Sequence, residues 1–345
     1  MNSKIMEDPR IDPRIKAIFG AMPASPASDD VDNREVLLEA ANTAEAATAR
    51  EGMQAFLNMC DTEEVASTEG LNTRTEQFVS SPDGNTVNVQ IIRPDNEDVL
   101  PCVYYIHGGG MQVMSCYDGN YKAWGRLIAA NNVAVVMVDF RNALVASSVP
   151  EVAPFPAGLN DCVSGVKWVL ENAASLKIDP DKIIVAGESG GGNLTLATGL
   201  KLKQDGDMSV IKGLYALCPY IAGEWPLEKN PSSIENNGIL LNLHSNNGAM
   251  AYGYSAFEEG NPLAWPGFAT VDDVSGLVPT VISVNECDPL RDEGIGFYRV
   301  LLEAGVTARC RQVMGTIHGT EIFPICCPDI SRDTARDLAA FCANA

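Results

Sequence analysis

The residues best suited to chemistry lie in a G-x-S-x-G sequence that runs from Gly187 to Gly191, with Ser189 at its centre. An apolar, β-branched run precedes it and a helical pattern follows it, which predicts a strand, a sharp turn and a helix. At such a turn the serine takes a strained backbone conformation that lifts its Oγ clear of the sheet. The flanking glycines let strand and helix approach closely, and the N–H of Gly190 suits a forming oxyanion. Taken alone, the motif also fits a glycine-rich turn that binds a phosphate or only packs closely.

A serine nucleophile needs a general base, and the chain has three histidines. His107 belongs to a run of glycines, His244 lies in an irregular segment, and His318 follows the last predicted strand. Functional groups of α/β proteins gather at the carboxyl ends of strands. We therefore predict His318 as the base, although a histidine in such a place can also have a surface or hydrogen-bonding role.

The base needs a carboxylate that orients its ring, and three lie between residues 285 and 292. Asp288 comes just past a predicted strand and directly before a proline, which fixes its place in a loop. Glu286 is expected still to have strand geometry. Asp292 is expected in the next helix, where a carboxylate in the first turn can simply complement the helix dipole. Asp288 is therefore the predicted orienting acid.

The oxyanion site is predicted where His107 and three glycines, Gly108, Gly109 and Gly110, follow another buried strand. Consecutive glycines let backbone N–H groups approach an oxyanion without obstruction, and each such donor typically lowers a barrier by about 3–4 kcal/mol. Gly109 and Gly110 are predicted donors together with Gly190, and Gly108 is a weaker candidate. His107 is expected to hold this loop by hydrogen bonding rather than to act as a base.

The elements that carry these groups alternate in a regular way. An antiparallel hairpin is predicted at 75–92, and buried strands then alternate with helices, which predicts a mostly parallel sheet covered on both faces. Residues 220–265 break this rhythm and are too long for an ordinary loop, so we expect a lid or helical insertion there. Its aromatic residues more often form a small core than contact a substrate.

Composition excludes several other classes of protein. The 345 residues carry a formal net charge of −21, which disfavours nucleic acids and anionic membranes as partners. The sequence shows no transmembrane span and no signal peptide at its start, so a cytoplasmic location is expected. Ten cysteines without CxxC pairs or regular spacing indicate buried thiols rather than a disulfide framework or zinc site. No metal or cofactor is expected.

Four motifs together resemble one known family. They are His107–Gly110, Gly187–Asn193, Asp288–Asp292 and His318–Gly319, in the chain order of the α/β-hydrolase triad. Over about residues 70–345 the chain resembles the bacterial hormone-sensitive-lipase-like (family IV) carboxylesterases. This resemblance implies the α/β-hydrolase fold, with a mostly parallel central sheet flanked by helices and a helical cap. It also implies cofactor-free hydrolysis of small esters, and it is compatible with a homodimer.

The expected division of the chain follows from this resemblance. Residues 1–70 supply the N-terminal part of the cap, 71–219 the first part of the core, 220–265 the cap insertion and 266–345 the second part of the core. The chain departs from the family pattern after Asp139, where residues 142–154 form an insertion that can alter substrate preference. Glu188 replaces the commoner Asp or Thr, and Gly190 the commoner Ala.

The expected function is that of a serine carboxylesterase that hydrolyses short-chain or aryl esters through an acyl-enzyme intermediate. Its partner is a small-molecule ester, and its catalytic residues are Ser189, Asp288 and His318. Two alternatives stay open. One is an amidase or peptidase with the same triad, and the other is a non-catalytic ligand-binding relative, a class that typically lacks the histidine.

Overall fold

One eight-stranded sheet organises the protein, whose computed structural model describes residues 2–345. Its strands lie side by side in the order β1-β2-β4-β3-β5-β6-β7-β8. They are β1 (Leu71–Val79), β2 (Thr86–Pro94), β3 (Leu100–Ile106), β4 (Ala134–Asp139), β5 (Ile178–Glu188), β6 (Gly213–Leu217), β7 (Thr280–Asn285) and β8 (Ala308–Val313). The first two strands form the predicted antiparallel hairpin, and β2 also pairs antiparallel with β4. All later neighbours are parallel, which confirms the predicted mostly parallel sheet.

Helices cover both faces of this sheet. Those of the core are α5 (Gly119–Ala129), α6 (Ala157–Glu171), α7 (Ala173–Leu176), α8 (Gly190–Asp205), α13 (Arg291–Glu303) and α14 (Pro328–Ala343). Tyr104 of β3 packs into the core built with α6, α8 and α13, whereas its neighbour Tyr105 packs on the other face with α5 and α14. Since the central strands are buried on both faces, their sequences are continuous apolar runs rather than alternating ones.

The remaining helices precede β1 or lie between β6 and β7. They are α1 (Ser3–Glu7), α2 (Pro13–Phe19), α3 (Arg34–Ala41), α4 (Ala44–Asn58), α9 (Ser232–Glu235), α10 (Asn247–Tyr252), α11 (Tyr254–Glu258) and α12 (Val271–Val274). Three short 3₁₀ turns complete the helical structure, at Met208–Val210, Pro266–Phe268 and Thr320–Ile322. No helix within residues 2–345 is long and apolar enough to cross a membrane.

The end of β7 and the state of the cysteines were both predicted from the sequence. β7 ends at Asn285, so the expectation of strand geometry for Glu286 was wrong. Glu286 instead lies in a turn, where its side chain accepts the N–H of Gly315 at 2.7 Å. All ten cysteines are free thiols, and nine are buried, with Cys310 half-buried.

The closest approach of backbone to a glycine lies where α8 meets the sheet. A Cβ on Gly191 would lie 2.0 Å from the Ile106 carbonyl oxygen, and one on Gly187 would lie 2.5 Å from the same atom. Both neighbours are backbone, which cannot turn aside as a side chain can. The two glycines therefore let β5, α8 and the end of β3 converge on one point.

We expect Gly191→Ala to lower the free energy of unfolding by about 1–3 kcal/mol or more, which is the typical cost of overpacking a core. Gly296→Ala is the matched control, because a Cβ at this position of α13 meets nothing within 4 Å. It should be neutral or add about 0.5–1 kcal/mol through the better helix propensity of alanine. Urea unfolding of both variants measures the difference, and equal midpoints would contradict the close approach.

Candidate active site

Ser189 occupies the turn between β5 and α8. Its backbone has φ 56° and ψ −118°, a left-handed conformation that a residue with a side chain rarely adopts. The serine N–H donates to the Leu217 carbonyl at 2.9 Å, and its own carbonyl accepts the N–H of Tyr220 at 3.0 Å. These bonds hold the strained turn against the end of β6. The residue is half-buried.

Asp288 and His318 contact each other at the same edge. The Nδ1 of His318 lies 2.8 Å from Oδ2 of Asp288, and both residues are buried. The other oxygen of Asp288 accepts the N–H of Leu290 at 2.9 Å, which fixes the carboxylate. Burial opposes a charge on His318, but Asp288 and the Cys218 sulfur outweigh it, so the pKa of His318 lies well above its usual value. The pair can therefore hold a proton on the imidazole.

Topology places Ser189, Asp288 and His318 at the same edge of the sheet. Strands β5, β6, β7 and β8 are consecutive parallel neighbours. Ser189 follows β5, Asp288 follows β7 and His318 follows β8, so all three leave the sheet at its carboxyl edge. A hydroxyl, an imidazole and a carboxylate, the groups that a nucleophile, a base and an orienting acid require, thus lie after strands of one edge.

The glycine loop after β3 lies against the serine turn. Gly109 and Gly110 have φ values of 85° and 62°, in the region that favours glycine. The nitrogen of Gly110 lies only 2.7 Å from where a Cβ on Gly190 would stand. Within residues 2–345, no acceptor takes the N–H of Gly109, Gly110 or Gly190. Three free donors therefore cluster beside Ser189.

Gly108 differs from its neighbours. Its N–H donates to the hydroxyl oxygen of Tyr121, at 2.9 Å, within the protein interior. The donor is already engaged, which corrects the expectation that Gly108 is a weaker oxyanion candidate. Gly108 instead anchors the loop that carries the free donors.

The Tyr121 hydroxyl that holds Gly108 also contacts the buried carboxylate of Glu188. Glu188 accepts the hydroxyl of Tyr121 at 2.5 Å and that of Tyr105 at 2.6 Å. Burial raises the pKa of Glu188 to about 7, although both tyrosines oppose the shift. Sequence reasoning missed this network. The sequence signal for it was the presence of Tyr105 and Tyr121 in segments predicted to be buried, because a buried tyrosine hydroxyl usually has a hydrogen-bond partner.

The other two histidines have structural positions. The ring of His107 stacks on Phe140 with centroids 4.3 Å apart, and its Nδ1 lies 3.0 Å from the Gly108 carbonyl. Burial lowers the pKa of His107, opposed by Asp139, so the ring favours the neutral form. The Nε2 of His244 lies 2.9 Å from the Ser233 carbonyl.

Residues 142–154 brace the glycine loop from outside. The N–H of Ala143 donates to the Met111 carbonyl at 2.9 Å, and the N–H of Val145 donates to the Gln112 carbonyl at 2.9 Å. The guanidinium of Arg34, from α3, in turn donates to the Ala143 carbonyl. This insertion therefore sets the position of the chain just past the free donors.

Two polar side chains fasten residues 220–265 to the core, and sequence reasoning assigned neither of them this role. Asn193, next to the serine turn, donates to the carbonyls of Tyr220 at 2.9 Å and Ala264 at 3.0 Å. Glu293 accepts the N–H of Ile221 and the indole N–H of Trp225, both at 2.7 Å. Burial raises the pKa of Glu293 to about 8.

Comparison with known proteins assigns the chain to a family. The model of the alpha/beta hydrolase fold family matches residues 103–322. Carboxylesterase NlhH of Mycobacterium tuberculosis (strain H37Rv) is 31% identical over 272 residues, which cover 77% of this chain and 82% of that protein.

Two solved structures are similar over nearly the whole chain. Esterase Est22 superposes with a TM-score of 0.96 at 67% identity, covering 99% of this chain and 100% of its own. Brefeldin A esterase, a bacterial homologue of human hormone sensitive lipase, superposes with a TM-score of 0.85 at 37% identity, covering 99% and 95%.

Asp288→Asn should lower the pKa of His318, because the ring stays buried while the carboxylate that favours its charge is lost. We expect a clear fall, because burial, which lowers this pKa, is then opposed less. Asp292→Asn is the control, since Asp292 bonds to Ser232 and Arg291 instead. The titration of the imidazole proton signals by NMR measures both, with His318→Gln assigning the signal. Equal pKa values in the two variants would refute the pairing.

Proposed function

Because the chain belongs to the hormone-sensitive-lipase-like carboxylesterases of the α/β-hydrolase superfamily and is a carboxylic ester hydrolase, we propose that it uses a Ser189–His318–Asp288 triad. The observation that carries this proposal is the 2.8 Å contact between His318 and Asp288 at the sheet edge that bears Ser189. The four motifs of the family occur in their expected order in this sequence.

The first half of the proposed reaction acylates the enzyme. Ser189 Oγ attacks the ester carbonyl carbon while the free imidazole nitrogen of His318, its Nε2, takes the hydroxyl proton. The carbonyl π electrons move to oxygen, and the N–H groups of Gly109, Gly110 and Gly190 donate to that oxyanion. When the carbon–oxygen bond to the alcohol breaks, His318 returns the proton to the leaving oxygen. Asp288 stabilises the imidazolium between these two transfers.

The second half frees the acid. Water takes the place of the alcohol and gives a proton to His318 as its oxygen attacks the acyl carbon. The same three donors stabilise the second oxyanion, and collapse of this intermediate returns the proton to Ser189. No cofactor takes part in any step of this proposal.

The cap is proposed to comprise residues 1–70 and 220–265. Contacts between the two segments support this division: the Asn246 side chain accepts the N–H of Val31 at 2.9 Å and donates to its carbonyl at 2.8 Å. The Asn2 side chain donates to the Gly238 carbonyl at 3.2 Å. Core segments are then 71–219 and 266–345, with Asn193 and Glu293 fastening the cap insertion at its base.

The proposed substrates are small esters of short-chain or aryl type. In support, the aromatic residues at the root of the insertion pack on one another, with Tyr220 and Trp225 stacked at 4.5 Å and Trp265 edge-on to both. All three rings are buried, so they form a small core at the base of the insertion. Esterase Est22 has been solved with p-nitrophenol, the alcohol released from aryl ester probes.

Ser189→Ala should reduce the hydrolysis of p-nitrophenyl esters at least about 10³-fold, because the variant lacks the hydroxyl that forms the proposed acyl-enzyme. Initial rates over acyl chains from two to sixteen carbons should peak at short chains in the wild type. The matching p-nitroanilides should react far more slowly, which separates an esterase from an amidase.

Ser175→Ala, at an exposed position of α7, is the matched control and should keep full activity. An organophosphate should label the wild type and not the Ser189 variant. A correctly folded Ser189→Ala protein that retained a tenth of wild-type turnover would refute the assignment of Ser189 as the nucleophile.

Tyr121→Phe should lower kcat about tenfold, or about 1.4 kcal/mol of barrier, because the Gly108 N–H loses its acceptor and the loop that carries the oxyanion donors loosens. Tyr105→Phe is the control, since it also loses a bond to Glu188 but none to the loop. Both should lose about 1–3 kcal/mol of unfolding free energy. Equal effects on kcat would show that the network acts on stability alone.

A further inference from the structure

Cys218 lies unusually close to the proposed triad. It follows β6 directly, and its backbone has φ 34°, in the left-handed region that disfavours residues with side chains. Its N–H donates to the Ser283 carbonyl at 2.7 Å, which holds this conformation against β7. Only 1% of the residue is exposed. Strained residues of this kind cluster at functional sites, and this one is a buried thiol next to His318.

Three different ligand types meet at this point. One ligand atom each from Cys218, Asp288 and His318 lies within 4.8 Å of the other two, and all three residues are buried. Burial raises the pKa of the Cys218 thiol to about 11, with His318 opposing the shift, so the sulfur carries its proton at neutral pH. The mechanism proposed above gives this thiol no task.

We propose that Cys218, His318 and Asp288 form an inhibitory binding site for a thiophilic divalent cation, with zinc as its representative. Sulfur, imidazole nitrogen and carboxylate oxygen are the donors that such cations combine in tetrahedral sites. Magnesium and calcium prefer oxygen ligands alone, so they fit this set poorly. The site itself depends only on the geometry, whereas its effect on activity rests on the proposed function.

Binding is balanced by the release of one proton. The metal forms bonds to the Cys218 sulfur, the His318 Nδ1 and one Asp288 oxygen; the thiol gives its proton to solvent, and the imidazole proton moves from Nδ1 to Nε2, so the ring stays neutral. Two ligands of a tetrahedral ion at about 2.1 Å stand about 3.4 Å apart. The Nδ1 and Oδ2 atoms, now at 2.8 Å, must therefore separate by only a few tenths of an ångström.

Metal at Nδ1 removes the function of the base. With the metal on Nδ1, the ring proton sits on Nε2, so this nitrogen has no lone pair to accept the Ser189 proton, and Asp288 no longer stabilises an imidazolium. Inhibition should therefore appear as a loss of kcat and should reverse when a chelator removes the metal. It should also spare the fold, because no backbone bond has to open.

The first experiment measures binding without substrate. Cobalt added to the wild-type protein should produce a thiolate-to-metal charge-transfer band at one equivalent, and Cys218→Ser should abolish it. Cys327→Ser is the matched control, because Cys327 is also a buried free thiol and could bind cobalt together with Cys326, whose sulfur is 4.0 Å away. A band that survived Cys218→Ser, or that vanished in the Cys327 variant instead, would overturn the proposal.

The second experiment measures inhibition of p-nitrophenyl ester hydrolysis by zinc. Cys218→Ser should raise the zinc concentration for half-inhibition at least tenfold, while Cys327→Ser should leave it unchanged and magnesium should have no effect. Equal zinc sensitivity in the wild type and the Cys218 variant would refute inhibition through this site. A wild type that binds cobalt through Cys218 but hydrolyses no ester would retain the metal site and reject only the proposed function.

Discussion

The close approach of α8 to the ends of β3 and β5 is the constraint on which the rest of the site depends. Only glycine at 187 and 191 leaves space for the Ile106 carbonyl between strand and helix. Because the turn is so short, Ser189 is forced to positive φ and its side chain stands at the sheet edge. The same proximity brings the glycine loop after β3 against Gly190. The proposed nucleophile and the proposed oxyanion donors thus both follow from one packing contact.

Buried carboxylates hold those parts of the site that the contact between α8 and the sheet does not position. Glu188 holds the glycine loop through Tyr121, Asp288 holds His318, and Glu293 holds the first residues of the insertion. Each is taken out of water, which is unfavourable for a carboxylate unless hydrogen bonds replace hydration. Each accepts bonds from separate segments of the chain, so the polar interior joins elements that hydrophobic packing alone would orient loosely.

Departures from the family pattern surround the reacting groups rather than replace them. Residues 142–154 bond to the segment just after the glycine loop, and Arg34 from the N-terminal part ties onto them. Gly190 acts through its backbone, so the absence of a methyl group leaves its donor in place. These differences therefore bear on the shape of the substrate site, while the groups proposed for catalysis keep their arrangement.

The sequence by itself determined the α/β architecture, because strand runs and helical patterns are local and a parallel sheet is the way to bury such strands on both faces. It also predicted Ser189, Asp288 and His318 as a set, since parallel strands carry their following loops to one edge. Only the tertiary structure decided that the Gly108 N–H is taken by Tyr121, that Glu286 lies beyond β7, and that Cys218 reaches His318. These depend on how side chains from distant parts of the chain pack, which no local pattern encodes.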